Sequence, residues 1–468
     1  MAFRERLPPL ACWSLPTGPS ALAPLPPAPA SANISPRILH PGSPPVVIAP
    51  PPASPDAPLD WSGLVALAAP LPDRVEGPTN AQASLRLFGH REEEVRVTLY
   101  RDHHAWCPYC QKVWLWLEER RIPYRIGKVT MVCYGEKESW YRRLVPSGML
   151  PALALDGRLI TESDRILEAL ELAFGPLGRS LHDPEVLALR HQERLLFRAW
   201  CQWLCSPGLG ERGEALAQQS FERQAVGFAA ALEAGAGPFL LGELSSADVI
   251  AVPYLERMNA SLAYEKGYGL RRHYLAIDRW FAALEQRPTY LGTQSDFHTH
   301  AHDLPPQMGG CYPSGTAYQR ALARRIDAGP WPISAPGEAD PETSQPEPAG
   351  AAATALARVL SHRDTLISRN PLGPAFEPAL RCALDHLITG RDQVPPGGSA
   401  AGLRYLRDRI SVPRDMPLHA ARRLRQALEH TAALDPETPD GQGPAIPRRH
   451  RRDQDPRPFL EAVTPGSF

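Results

Sequence analysis

Cys107-Pro108-Tyr109-Cys110 carries the clearest chemistry in the chain. Two thiols at this spacing exchange with disulfides: one attacks to form a mixed disulfide, and the other, one helical turn later, attacks that bond in turn. Zinc also takes Cys-x-x-Cys, but a structural zinc site needs a second Cys/Cys or Cys/His pair at ligand spacing. None follows in the next 60 residues. Tyr109 offers a hydroxyl as the internal alternative to a thiol catalyst.

The elements around the pair suit a reactive cysteine. Val95-Arg-Val-Thr-Leu-Tyr100 alternates as a strand does, and Arg101 to Trp106 reads as a loop. From Gln111 to Arg121, Val113, Trp114, Leu117 and Glu118 recur at helical spacing. Pro108 suits a first helical turn, where its missing N–H is not needed. Cys107 then falls at the helix N-terminus, where unpaired N–H groups and the helix dipole favour a thiolate. His103 and His104 either raise that thiolate fraction or stand as exposed loop histidines. Trp114 is expected in the core and Trp116, two residues on, partly exposed.

A second strand, Tyr124 to Val129, and a short helix, Ser139 to Leu144, come next. Leu150-Pro151 leads into a strand over Ala152 to Leu155, and Gly157 marks a tight turn into Leu159-Ile160. Thr161-Glu162-Ser163-Asp164 opens a helix to about Phe174 with an apolar face of Ile166, Leu167 and Leu170. Taken with Cys-Pro-Tyr-Cys, the Leu150-Pro151, Asp156-Gly157 and Glu162-Ser163 pairs resemble the glutathione transferase superfamily, of the cysteine-active, omega or glutaredoxin-like kind. The resemblance implies an α/β thioredoxin-like N-terminal domain followed by an all-α transferase domain, with glutathione as co-substrate. It implies a cis Leu150–Pro151 bond, with the Leu150 backbone pairing with the cysteinyl part of glutathione. It assigns Glu162 and Ser163 to the γ-glutamyl end and Lys137 to a further glutathione contact. A helix N-terminus independently suits a carboxylate, with the Ser163 hydroxyl added; ordinary capping is the plain alternative.

The helical half reads as Asp183 to Ser206, Glu214 to Glu233, and Tyr274 to Gln286 ahead of Arg287-Pro288. Ser245-x-x-Asp248 is a capping box before the apolar run Val249 to Val252, where the superfamily carries one too. The resemblance runs from about Val95 to Leu291. Cys201 and Cys205, one turn apart, are expected to pack. His298-Thr-His300-Ala-His302 has no place in that pattern. Extended, it turns three imidazoles to one side and could hold a metal, with only Asp303 and the more distant Cys311 nearby; the competing reading is a mobile loop, and no metal is expected.

Composition bounds the rest. The chain has 468 residues, 50 Lys+Arg against 51 Asp+Glu, and 43% hydrophobic residues. A net charge of −1 argues against nucleic-acid or polybasic membrane binding by bulk electrostatics. No run approaches the ~18 apolar residues of a membrane span. Seventeen of 53 prolines fall in the first 60 residues, so residues 1–92 read as an extended, disordered leader. That leader is either a plain cytoplasmic extension or a chloroplast-type transit peptide. Eight scattered cysteines point to a reducing compartment.

The expected segments are then a thioredoxin-like domain at 93–176, an all-α transferase domain at 180–293, and a His-containing segment with a Pro-rich linker at 294–349. Beyond them lie an extra helical extension at 350–435 and a polar tail at 436–468 with the basic run Arg448 to Arg452. The expected activity is glutathione-dependent thiol–disulfide exchange or reduction, Cys107 attacking and Cys110 resolving. The alternatives are a conjugating transferase or a non-catalytic binding module. Expected partners are glutathione, a small electrophile or disulfide and, from the resemblance, a second copy of the chain.

Overall fold

The computed structural model describes residues 57–131, 135–328, 333 and 340–443. The leader's first 56 residues, Cys133 and the basic cluster near the C-terminus lie outside the described residues. A short helix α1 (Trp61–Leu67) and a two-residue strand β1 (Leu85–Arg86) precede β2 (Val97–Asp102), α2 (Pro108–Glu119) and β3 (Tyr124–Val129). Then come α3 (Ser139–Leu144), β4 (Ala152–Leu155), β5 (Arg158–Thr161) and α4 (Ser163–Phe174). The sheet order is β1-β3-β2-β4-β5. β2 and β3 run parallel across the α2 crossover, and every other pairing is antiparallel. This is the thioredoxin-like arrangement that the resemblance implies.

The next part of the chain is helical: α5 (Pro184–Cys205), α6 (Gly210–Ala234), α7 (Ser246–Ser261), α8 (Leu270–His273), α9 (Leu275–Leu284) and α10 (Pro288–Thr293). The Ser245–Asp248 capping box forms as expected. Asp248 accepts from Ser245 N at 3.0 Å and also from the Trp280 indole at 2.9 Å, which ties α9 to the start of α7. α7 is buried along its whole length. It packs on α2, so α2 is covered by the sheet on one side and by helices on the other. That double cover corrects the expectation for Trp116, which is fully buried like Trp114. Helical spacing separates the two indoles, but neither side of this helix faces water.

Two further expectations need correction. Residues 57–92 belong to the fold rather than to a disordered leader. Leu64 is fully buried in a second core with Leu356, Leu380 and Leu424, and the Trp61 indole donates to Glu377 at 2.8 Å. Arg86 is held by buried Glu118 of α2 at 3.0 Å, with Tyr124 and Thr79 donating to the same carboxylate. Composition could not show this, because each anchor in this segment finds its partner far away in sequence. The His298 region is likewise neither extended nor a loop. It lies in α11 (Phe297–Met308), N-capped by Asp296 and followed by α12 (Ala317–Ala328). His298 and His300 are buried.

The second core is built by α13 (Ala351–Leu360), α14 (Arg363–Arg369), α15 (Glu377–Thr389), α16 (Ala400–Arg407) and α17 (Leu418–Ala433), with α1 packed against α13 and α15. Buried Arg425 of α17 pairs with buried Asp296 at the start of α11, and Val412 N donates to Thr299 Oγ1 at 3.1 Å. The helical extension is therefore fastened directly to α11.

Candidate functional site

Cys107 is the N-cap of α2, and Pro108 fills the first position of the helix. Gln111 N reaches the Cys107 carbonyl at 2.9 Å and closes the first turn. The N–H groups of Tyr109 and Cys110 lie in that same turn, at the end where a helix lacks internal partners. Cys110, one turn in, is fully buried. Burial pushes its thiol well above the ordinary range, and the neighbouring Cys107 sulfur adds to that. Both thiols are buried, but they are placed differently: Cys107 stands at the helix end and lines the cleft, while Cys110 lies one turn beneath it. Tyr109 is a poor alternative catalyst, since burial pushes its phenol up and keeps it protonated.

The cleft beside Cys107 has a free volume of about 770 Å³ out to its mouth. One wall comes from the sheet domain, with Trp106, Lys137 and Leu150. The other comes from helices: Phe197, Trp200, Tyr254 and Arg257 from α5 and α7, and Leu304, Gln307 and Met308 from α11. The Leu150–Pro151 bond is cis. Lys137 Nζ donates to the Thr130 carbonyl at 2.9 Å. Cys107, Lys137 and Leu150 thus share the cleft, whereas Glu162 and Ser163 stand at the start of α4, outside its lining. Glu162 has φ +66°, a left-handed conformation that costs a non-glycine residue energy. The Lys112 ammonium is buried under the same region and pairs with Asp164 at 2.5 Å; Asp164 also meets Arg190 at 3.2 Å, joining α2, α4 and α5.

A buried polar chain fixes the turn before Cys107. Trp106 N donates to Asp102 at 2.6 Å. The Trp106 carbonyl accepts from Arg257, whose guanidinium also lies 4.5 Å from the indole centroid. The Trp106 indole donates to His300 Nδ1 at 3.0 Å, and His300 Nε2 meets Glu256 Oε1 at 2.8 Å. The other Glu256 oxygen accepts from Gln111 at 3.1 Å. An imidazole that accepts at Nδ1 and donates at Nε2 is neutral. Burial holds the His300 pKa below its ordinary value, outweighing the pull of Glu256.

Sequence reasoning missed Trp106, Glu256, Arg257 and His300 as parts of the site. For Glu256 and Arg257 the available signal was a charged pair inside an otherwise apolar helix. For His300 it was the triplet itself, read with the wrong period. His104 is buried and not an exposed loop residue, its ring 4.8 Å from that of His103.

Residues 106–173 match the family described as "Glutathione S-transferase, N-terminal domain". Glutathione S-transferase DHAR2 of Arabidopsis thaliana is 25% identical over 190 residues, 40% of this chain and 84% of that protein. Glutathione S-transferase DHAR3, chloroplastic, of the same plant is 26% identical over 191 residues, 41% of this chain and 69% of that protein. Among solved structures, the dehydroascorbate reductase of Chlamydomonas reinhardtii matches at a TM-score of 0.34 and 22% identity, over 42% of this chain and 91% of that one.

Proposed function

We propose, from a chain that carries a glutathione S-transferase N-terminal domain at residues 106–173 and so a part of that superfamily, that it catalyses glutathione-dependent thiol–disulfide exchange or reduction. The observation that carries this reading is the placement of the two buried thiols: Cys107 at a helix N-terminus lining the cleft, Cys110 one turn beneath it and outside the lining. The attacking form is the thiolate. The site offers it the N–H groups of the first turn of α2 and the Arg257 guanidinium, bound to the carbonyl of the preceding residue.

The Cys107 thiolate attacks one sulfur of a glutathione disulfide, forms a Cys107–glutathione bond and expels glutathione thiolate. In the dithiol route Cys110 loses its proton and attacks Cys107 Sγ. A second glutathione leaves, and a Cys107–Cys110 disulfide remains. Burial of Cys110 slows this step, so a second glutathione thiol competes for the adduct. Leu150 and Pro151 hold the cysteinyl part of glutathione, Lys137 makes a further contact with the tripeptide, and Glu162, Ser163 and the start of α4 hold its γ-glutamyl end. The apolar helical wall takes a small second substrate, a disulfide or an electrophile. The protein works as a homodimer in the cytoplasm, with the chloroplast stroma as the alternative. No described helix is long and apolar enough to cross a membrane.

The test is incubation with oxidised glutathione and adduct mapping by intact and peptide mass spectrometry, in wild type and Cys110→Ser. The expected result is an adduct on Cys107 that accumulates in Cys110→Ser and turns over in wild type. No adduct at Cys107 in either protein sinks the redox reading in favour of conjugation or a binding role.

A further inference from the structure

The helical geometry of α11 divides the histidine triplet. Residues four apart share a face and the one between them points away. His300 accordingly meets Trp106 and Glu256, while His298 and His302 turn together toward α12, their ring centroids 4.7 Å apart. There Asp327 of α12 meets them, with Oδ1 2.8 Å from His302 Nε2. One ligand-type atom from each of His298, His302 and Asp327 lies within 4.8 Å of the other two. Tyr264 donates to the second Asp327 oxygen, Oδ2, at 3.1 Å, which orients the carboxylate and leaves Oδ1 facing the imidazoles. Asp408, just past α16, stands 3.9 Å from His298 Nε2.

From this convergence we propose that His298, His302 and Asp327 bind a divalent transition-metal ion of the zinc class. Two imidazoles and one carboxylate suit zinc better than magnesium or calcium, which take oxygen. Bonds of about 2.0 Å in a tetrahedral array put neighbouring ligand atoms about 3.3 Å apart. The His302–Asp327 contact therefore needs to open by only about half an ångström for an ion to replace the hydrogen bond. Water or Asp408 supplies the fourth position. His298 is buried, whereas His302 and Asp327 are partly open to solvent, which gives the ion a way in. The ion would pin α12 to α11, and through Asp408 reach the helical extension. Since α11 lines the cleft, its role is to steady that wall and not to enter the reaction.

Two other groups of ligand-type side chains compete for metal: Asp102 with Cys107 and Cys110, and the more exposed His386, Asp392 and His430. The experiment therefore titrates the full-length chain with zinc chloride against a chromophoric chelator, and with cobalt(II) for its visible spectrum. The proteins are wild type, Cys107→Ser/Cys110→Ser, His430→Ala, His302→Ala and Asp327→Asn. The expected result is one equivalent bound by the first three, with no thiolate-to-cobalt charge-transfer band in the double cysteine variant. Affinity should fall at least about tenfold in His302→Ala and Asp327→Asn. Asp327→Asn nearly preserves shape at a partly exposed position, so it keeps the test sound if His302→Ala misfolds. Zinc should also raise the melting temperature of wild type, by at least about 2 °C, and not that of Asp327→Asn. No binding by wild type overturns the proposal. So does binding lost with the cysteines or with His430, or binding unchanged by both site variants.

Discussion

The two walls of the cleft are built by different physics. The wall bearing Cys107, Leu150 and Lys137 takes its shape from local elements, a strand, a proline-started helix and a strand hairpin held by a hydrogen-bonded ladder and an apolar core. Its turn at Trp106 is tied to distant residues, Arg257 and His300. The wall bearing Leu304, Gln307 and Met308 rests on α11, and α11 is held by charges and hydrogen bonds to other parts of the chain, among them Arg425 and Val412 more than a hundred positions away. On the proposed reading the first wall supplies the attacking sulfur and the second shapes what lies beside it. Changes to the first should therefore remove chemistry, and changes to the second should alter substrate binding and stability.

Cys107→Ser should have the largest effect. A hydroxyl replaces the thiol, and the exchange rate should fall by a factor on the order of 10³ or more, with folding unchanged. Steady-state reduction of a small glutathione mixed disulfide reads this directly. A variant retaining near-wild-type exchange would remove the sheet-held wall from the chemistry.

Arg425→Ala tests the other wall. Its partner Asp296 is buried, yet the Arg425 charge and the Thr299 hydrogen bonds outweigh burial and hold its carboxyl below the ordinary range. Removing the arginine leaves that charge unpaired at the cap of α11, at a cost of about 3–5 kcal/mol in chemical denaturation. Arg425→Met with Asp296→Asn should recover part of the loss. In the single variant, alkylation of Cys107 by a small reagent should persist after KM for an apolar second substrate has risen. Equal loss of both would mean the walls are not separable.

Leu64→Ala probes how α1 braces the extension from the far side. Deleting a fully buried leucine from the second core should cost about 2–4 kcal/mol, read as a lower denaturation midpoint. Exchange at low denaturant should stay at the wild-type level. A change within about 0.5 kcal/mol would detach α1 from the core.

This division also explains what the sequence disclosed. The strand read at Val95–Tyr100 and found at Val97–Asp102, the α2 start at Pro108, the cap at Asp248 and the apolar face of α4 follow from residues a few positions apart, and periodicity reports such elements. The clasp of Trp61 on Glu377, the burial of Trp116 and the helical state of the His298 segment depend on distant partners. The histidine triplet shows the difference most sharply. Alternation suggested one shared side, whereas helix geometry sends His300 to the cysteine turn and its neighbours away from it.

His300→Gln should give the smallest effect and isolates the link between the walls. Glutamine keeps a hydrogen-bonding side chain beside Trp106 and Glu256 but cannot titrate. In the folded protein His300 has its pKa held below the ordinary 6.5, so as pH falls through 6.5 the unfolded chain takes up a proton that the folded one refuses. The unfolded state binds more protons there, so the histidine's contribution is complete above pH 6.5 and is lost below it, by at most about 1.4 kcal/mol per pH unit. His362 and His419 are also held down by burial, so the informative quantity is the difference between wild type and variant. Stability measured from pH 7 to 5 should fall less steeply in His300→Gln. The groups facing the ring, Glu256, Arg257 and Asp296, set the size of this effect but leave its sign unchanged, because burial is the largest cause. Identical slopes would mean that His300 takes up its proton in the folded state. The Trp106 indole would then lose its acceptor at Nδ1, and the turn before Cys107 would loosen without unfolding, seen as a fall in exchange rate with no change in stability.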